Sequence, residues 1–179
     1  MNSEPNPLYT PPGSGTPPPP PPAPSPPPSP GNSHVLISEV MAGRDGNVND
    51  EFIELYNVGT AAQDLTGWSI KRKASSVSEP DTFVAASHFS GKSIQAGGYF
   101  LLVDIEGYQG SVSPDISWPK SSSLAYDDDV LLLYDASGTV VDSVAWTEIP
   151  AGKSYVRASW DGASFTVADV PTPEGSATP

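Results

Sequence analysis

An antiparallel β-sandwich is the fold this sequence predicts, on three observations. From His34 onward apolar residues alternate with period two, and no helical stripe is sustained. Seven or more such short runs are separated by turn residues. In the 33 residues ahead of them Leu8 and Tyr9 are the only large aliphatic or aromatic side chains, too few to join a core.

The strands follow in order. Val35 to Val40 is the first, and Phe52 to Asn57 the second, with Ile53 and Leu55 on one face and Phe52, Glu54 and Tyr56 on the other. Glu54 on a half-buried strand has to bond backbone amides or reach the rim, and Asn57 can close the following turn with its side chain. Gly67 to Lys73 is the third strand, where Gly67 allows a tight turn and Trp68 caps the core. The Ser-rich stretch 75–93 is read as loop, although Thr82 to Ala85 could form a short edge strand. Gly97-Gly98 precedes Tyr99 to Val103. Asp129 to Tyr134 and Thr139 to Trp146 form the clearest hairpin, joined by Asp135-Ala-Ser-Gly138. Ser154 to Ala158 and a weaker Ser164 to Val167 complete the set.

Three segments result: a proline-rich disordered linker at 1–33, the β domain at 34–168 and a disordered C-terminal linker at 169–179. Fifteen of the 22 prolines lie in the first 30 residues, and Thr16 to Pro30 reads TPPPPPPAPSPPPSP. Proline fixes φ and disfavours helix before it, so this run is expected to be a polyproline II spacer of roughly 45 Å. Its PxxP spacings would also suit a proline-binding module. A tether implies something to be tethered to, so the chain is expected to be a piece of a longer polypeptide. Its length excludes a two-domain enzyme.

Charge and cysteine narrow the function. Eight Lys and Arg stand against 21 Asp and Glu, and the one basic run is Lys71-Arg72-Lys73, so no nucleic-acid partner is expected. The absence of cysteine excludes a disulfide framework, a thiolate zinc site and a cysteine nucleophile. Apolar runs of five residues do not insert into a membrane, and Met1 does not lead into a signal segment.

Five motifs in order resemble the lamin tail domain family, in the form found in bacterial surface proteins. They are ISEVM (37–41), DEFIELYNVGT (50–60), DLTGWSI (64–70), SIQAGGYFLLVD (93–104) and LAYDDDVLLLYDASGTVVDSVAW (124–146). The resemblance covers roughly residues 35–158 and implies an immunoglobulin-like sandwich. It does not carry over a nuclear address or filament assembly: a proline tether stands where a lamin has its coiled-coil rod, and the chain ends Gly175-Ser-Ala-Thr-Pro179 rather than in a prenylated cysteine motif.

No catalytic set emerges. His34 and His88 are the only histidines and have no partner motif, and no nucleophile elbow, P-loop or dinucleotide fingerprint is present. Asp45, Asn47, Asn49 and Asp50 resemble the first half of a calcium loop, D-x-N-x-N, so calcium is the one candidate ligand ion. The pattern then departs from a helix–loop–helix site, with Asp50 where Gly is needed and Tyr56 where Glu is. Asp127-Asp128-Asp129 is a second acidic cluster; both clusters also suit ordinary turns. Trp118, Tyr108 and Trp160 are candidate binding aromatics, since such rings offer large contact area at low rotamer cost.

The sequence therefore predicts a noncatalytic binding or structural module, extracellular or in the cell envelope, that meets a protein or cell-surface partner. One alternative is the accessory domain of a secreted hydrolase, a nuclease or phosphoesterase; another is a calcium-dependent carbohydrate-binding module.

Overall fold

The computed structural model describes residues 35–74, 77–119 and 121–176. The proline-rich linker and His34 lie outside the described residues. Among the described residues twelve strands form: β1 (Val35–Arg44), β2 (Asn47–Asn57), β3 (Gln63–Asp64), β4 (Ser69–Arg72), β5 (Asp81–Val84), β6 (Ser93–Ile94), β7 (Tyr99–Asp104), β8 (Ile116–Trp118), β9 (Asp127–Tyr134), β10 (Val140–Glu148), β11 (Ser154–Arg157) and β12 (Phe165–Ala168). A six-stranded sheet runs β12-β11-β1-β2-β7-β8, a four-stranded sheet β10-β9-β4-β5, and β3 pairs with β6. All pairings are antiparallel except β7 with β8. The fold is the expected all-β immunoglobulin-like sandwich.

Alternation decides which side chains meet between the sheets. Val35, Ile37, Val40 and Ala42 of β1 and Ile53 and Leu55 of β2 face inward, against Ile70, Leu131, Leu133, Val141 and Val144 of the four-stranded sheet. Trp68 joins this core at a strand start, where Gly67 adopts φ 85°. Asn57 closes its turn as its position predicts: Oδ1 accepts from the Gly59 amide, and Nδ2 donates to the carbonyls of Ala61 and Ile94.

Two stretches depart from the sequence reading. The segment read as loop carries β5, a short 3-10 helix at Ala86–Phe89 and β6, because Phe83, Phe89 and Ile94 are drawn into the core. The loop expected around Asp45 is a hairpin, in which only Asp45-Gly46 turns and β2 begins already at Asn47.

No disulfide is available to bind the sheets, and one buried ion pair takes that place. Arg157 of β11 reaches Asp142 of β10 (Nη2 to Oδ2, 2.5 Å), with both side chains almost wholly out of solvent. The same Asp142 oxygen accepts the Ile37 amide (2.7 Å), while Arg157 donates to the carbonyls of Ile37 and Gly162 and lies over the Phe165 ring. Four strands meet at this pair. Asp142→Ala would leave a buried cation without its counter-charge and is expected to cost about 3–5 kcal/mol, read as a lower urea midpoint at unchanged slope. Asp142→Leu combined with Arg157→Met is expected to regain much of that loss; a single variant as stable as wild type would refute the clamp.

Candidate functional site

The outer face of the six-stranded sheet carries what the core does not use. Period two on β1, β2 and β7 turns three rows outward. Tyr56 pairs with Tyr99 in the first row, Glu39 with Glu54 and Glu54 with Leu101 in the second, and Met41 with Phe52 and Phe52 with Val103 in the third.

The first row ends in an aromatic stack. Trp160, 42% exposed, lies on Tyr56 with ring centroids 4.2 Å apart and planes 22° apart, and Tyr56 leans on Tyr99 at 4.7 Å. The third row, joined by Leu101 of the second, makes a second, smaller apolar cluster of Met41, Phe52, Leu101 and Val103, flanked by Tyr108 and Val112. A cavity of about 340 Å³ opens beside it, and Arg44, Asp50, Pro171 and Pro173 are among its lining residues.

Between these two ends lies a row of carboxylates, and residues 171–176 run across it as a strap. Thr172 donates its amide to Glu39 Oε1 (3.0 Å) and its hydroxyl to Oε2 (3.2 Å). The Glu174 amide donates to Glu54 Oε2 (2.6 Å). Ser176 donates its amide to Asp115 Oδ2 (3.0 Å) and its hydroxyl to Oδ1. A β-bulge inserts Ser38 between Ile37 and Glu39, and the Ser38 hydroxyl donates to Glu54 Oε1. Glu54 thus meets the backbone amide its sequence position required. Asp115 Oδ2 also accepts the Leu101 amide (2.8 Å), tying the row to β7.

Burial raises the pKa of two acids of β2, Glu54 and Glu51. Desolvation pushes the Glu54 carboxyl up to about 8, against the Ser38 and Glu174 donors that lower it, with Glu39 and the Glu174 carboxylate raising it further. Desolvation likewise raises Glu51 to about 7, opposed by Ser123 and the Leu124 amide; Asp104 adds to the rise and Arg72 counters it. Tyr99, desolvated beside Glu174 and Glu54, is pushed up to about 12.

The candidate residues read from the sequence fall in different places. Asn47, Asn49 and Asp50 converge on the turn after β7: Asn47 Nδ2 donates to the Gly107 carbonyl, Asn49 Nδ2 to Asp104, and Asp50 Oδ1 accepts the Gln109 amide. Gly107 packs so closely on Asn49 that a Cβ there would lie 1.9 Å from its carbonyl oxygen. Asp50 also pairs with Arg44, and Asp45 stays exposed at the hairpin turn. Among the described residues no three acidic or histidine side chains gather as a metal-binding group.

The triple aspartate divides. Asp127 and Asp128 are exposed, while Asp129 is buried against Arg72 (2.5 Å) and the Ala125 amide.

Trp118 is corrected outright. It is not a surface ring but a core residue of β8, 1% exposed and packed on Phe83, because the Ile116-Ser117-Trp118 alternation pairs with β7. Tyr108 and Trp160 do reach the outer face, at opposite ends of it. Glu39, Asp115 and the strap escaped the sequence reading. Glu39 reads as an ordinary strand acid, Asp115 sits in a loop, and Pro-Thr-Pro reads as a linker.

Comparison with protein families places the Lamin Tail Domain model on residues 28–148. No curated protein matches the chain. The strap, β11, β12 and Trp160 all lie beyond the matched residues.

Glu51 and Glu54 hold protons more tightly folded than unfolded. The stability they contribute is complete below the unfolded value of 4.5 and is lost as pH rises through about 7 and about 8. The melting temperature is expected to fall from about pH 5 to about pH 8.5, and Glu54→Gln to flatten that fall. A slope unchanged by Glu54→Gln would contradict the assignment.

Proposed function

The chain belongs to the lamin tail domain family, and from that premise we propose that it is a noncatalytic interaction module of a bacterial surface or secreted multidomain protein. Its proline-rich segment serves as the tether and the outer face of the six-stranded sheet as the surface that meets a polypeptide partner. The observation that carries this reading is the strap: three carboxyl groups, Glu39, Glu54 and Asp115, already hold an extended backbone by its amides on that face. Carboxylates occupied in this way act as acceptors for a bound chain rather than as a free acid–base pair. On either side of the strap the face still offers an aromatic stack and a cavity of mixed lining, Met41, Phe52 and Val112 beside Arg44 and Asp50, both of which can take anchor side chains.

Tyr56, Tyr99 and Trp160 would also suit a sugar ring, which keeps the carbohydrate reading as the second one. An array of extended peptides probed with the intact chain is expected to retain it, about tenfold less with Trp160→Ala, and equally with calcium or chelator. Retention on glycans that chelator abolishes would overturn the peptide reading in favour of calcium-dependent carbohydrate binding.

A further inference from the structure

The strap is read position by position. Thr172 and Ser176 each present an amide and a hydroxyl to the two oxygens of a single carboxylate, Glu39 and Asp115 respectively, a match that Ala or Val cannot make. Pro171 and Pro173 alternate with the donors at 172, 174 and 176, so their missing N–H groups fall where no acceptor is aimed. Gly175 is buried: a Cβ there would come within 3.0 Å of the Ser113 carbonyl and 3.4 Å of Asp115. The centre, residue 174, is recognised through its backbone N–H, which Glu54 accepts at 2.6 Å.

The same motif stands ahead of the domain. Residues 172–179 read TPEGSATP and residues 10–17 read TPPGSGTP, identical at six of eight positions. Over the hydrogen-bonded residues 172–176 the one difference is the centre, Glu174 against Pro12. Pro12 has no N–H to give Glu54, so that segment would leave a buried carboxyl short of one donor.

We propose that the carboxylate row is a docking site for extended Thr-Pro-x-Gly-Ser peptides in which x keeps its backbone N–H. The strap is its resident occupant, and Glu54 is the residue that separates the two copies. This rests on the peptide-binding reading above and narrows it to one peptide class. The domain closes on the copy behind it, whose central residue keeps the N–H that Glu54 accepts.

The test uses the intact chain carrying Glu174→Pro, whose strap then matches residues 10–14, with two labelled synthetic peptides spanning residues 170–179 and 8–17. The variant is expected to bind the 170–179 peptide about tenfold or more tighter than wild type does, and tighter than it binds the 8–17 peptide by a similar factor. Adding Glu54→Leu is expected to bring the two affinities together. Equal affinity of the Glu174→Pro chain for both peptides would overturn the role of Glu54 and leave the peptide-binding face standing. If neither peptide binds a variant whose circular dichroism and melting remain cooperative, both the motif and the peptide-binding reading fail. Should Glu54→Leu not fold, the comparison between wild type and Glu174→Pro decides the question alone.

Discussion

A carboxylate taken out of water must find donors or give up its charge, and that constraint organises this molecule. The chain is strongly acidic, has no cysteine and buries Glu39, Asp50, Glu51, Glu54, Asp104, Asp129 and Asp142. An unpaired buried charge costs several kcal/mol, a large fraction of a domain's net stability. Each acid has therefore drawn a piece of backbone or a cation to itself. Glu51 takes the Leu124 amide and the Ser123 hydroxyl, which fixes the approach to β9. Asp104 takes the amides of Glu106 and Gly107, which folds the turn after β7. Asp142 takes Arg157 and the Ile37 amide and so joins the two sheets. These acids do here what disulfides do in many other small domains.

The outer face follows from the same rule. Glu39 and Glu54 are register partners on neighbouring strands, so a chain crossing the sheet meets them in succession and Asp115 beyond them. Only an extended segment presents amides at alternate residues to such a row. The face therefore selects backbone geometry first and side chains second. The aromatic stack at one end and the cavity at the other give two further places where a longer polypeptide could gain area. The acidic balance that argues against nucleic acid is, on this face, the source of the acceptors.

Much of the fold was legible because strands announce themselves by period two. The β9–β10 hairpin, Trp68 at a strand start, the Asn57 turn and the demand of Glu54 for an amide all follow from local chemistry. What local chemistry hides is long-range. Trp118 between Ser117 and Pro119 reads as loop until β7 is there to pair with it. Asn47, Asn49 and Asp50 read as a loop of oxygen ligands, and nothing local shows that their side chains bond the 104–109 turn. Proline in the strap reads as linker because its missing N–H excludes it from a ladder. Here the ladder is made of side chains that take the amides of 172, 174 and 176, so the prolines at 171 and 173 forfeit no hydrogen bond.

The account stands or falls on whether the strap is held. Amide hydrogen exchange of the intact chain, followed by NMR at neutral pH, tests this directly. Thr172, Glu174 and Ser176 are expected to exchange far more slowly than unstructured amides, with Glu174 the slowest, and Glu54→Leu is expected to release Glu174 first. Exchange of all three at the rate of a free peptide, with the sandwich itself protected, would contradict it.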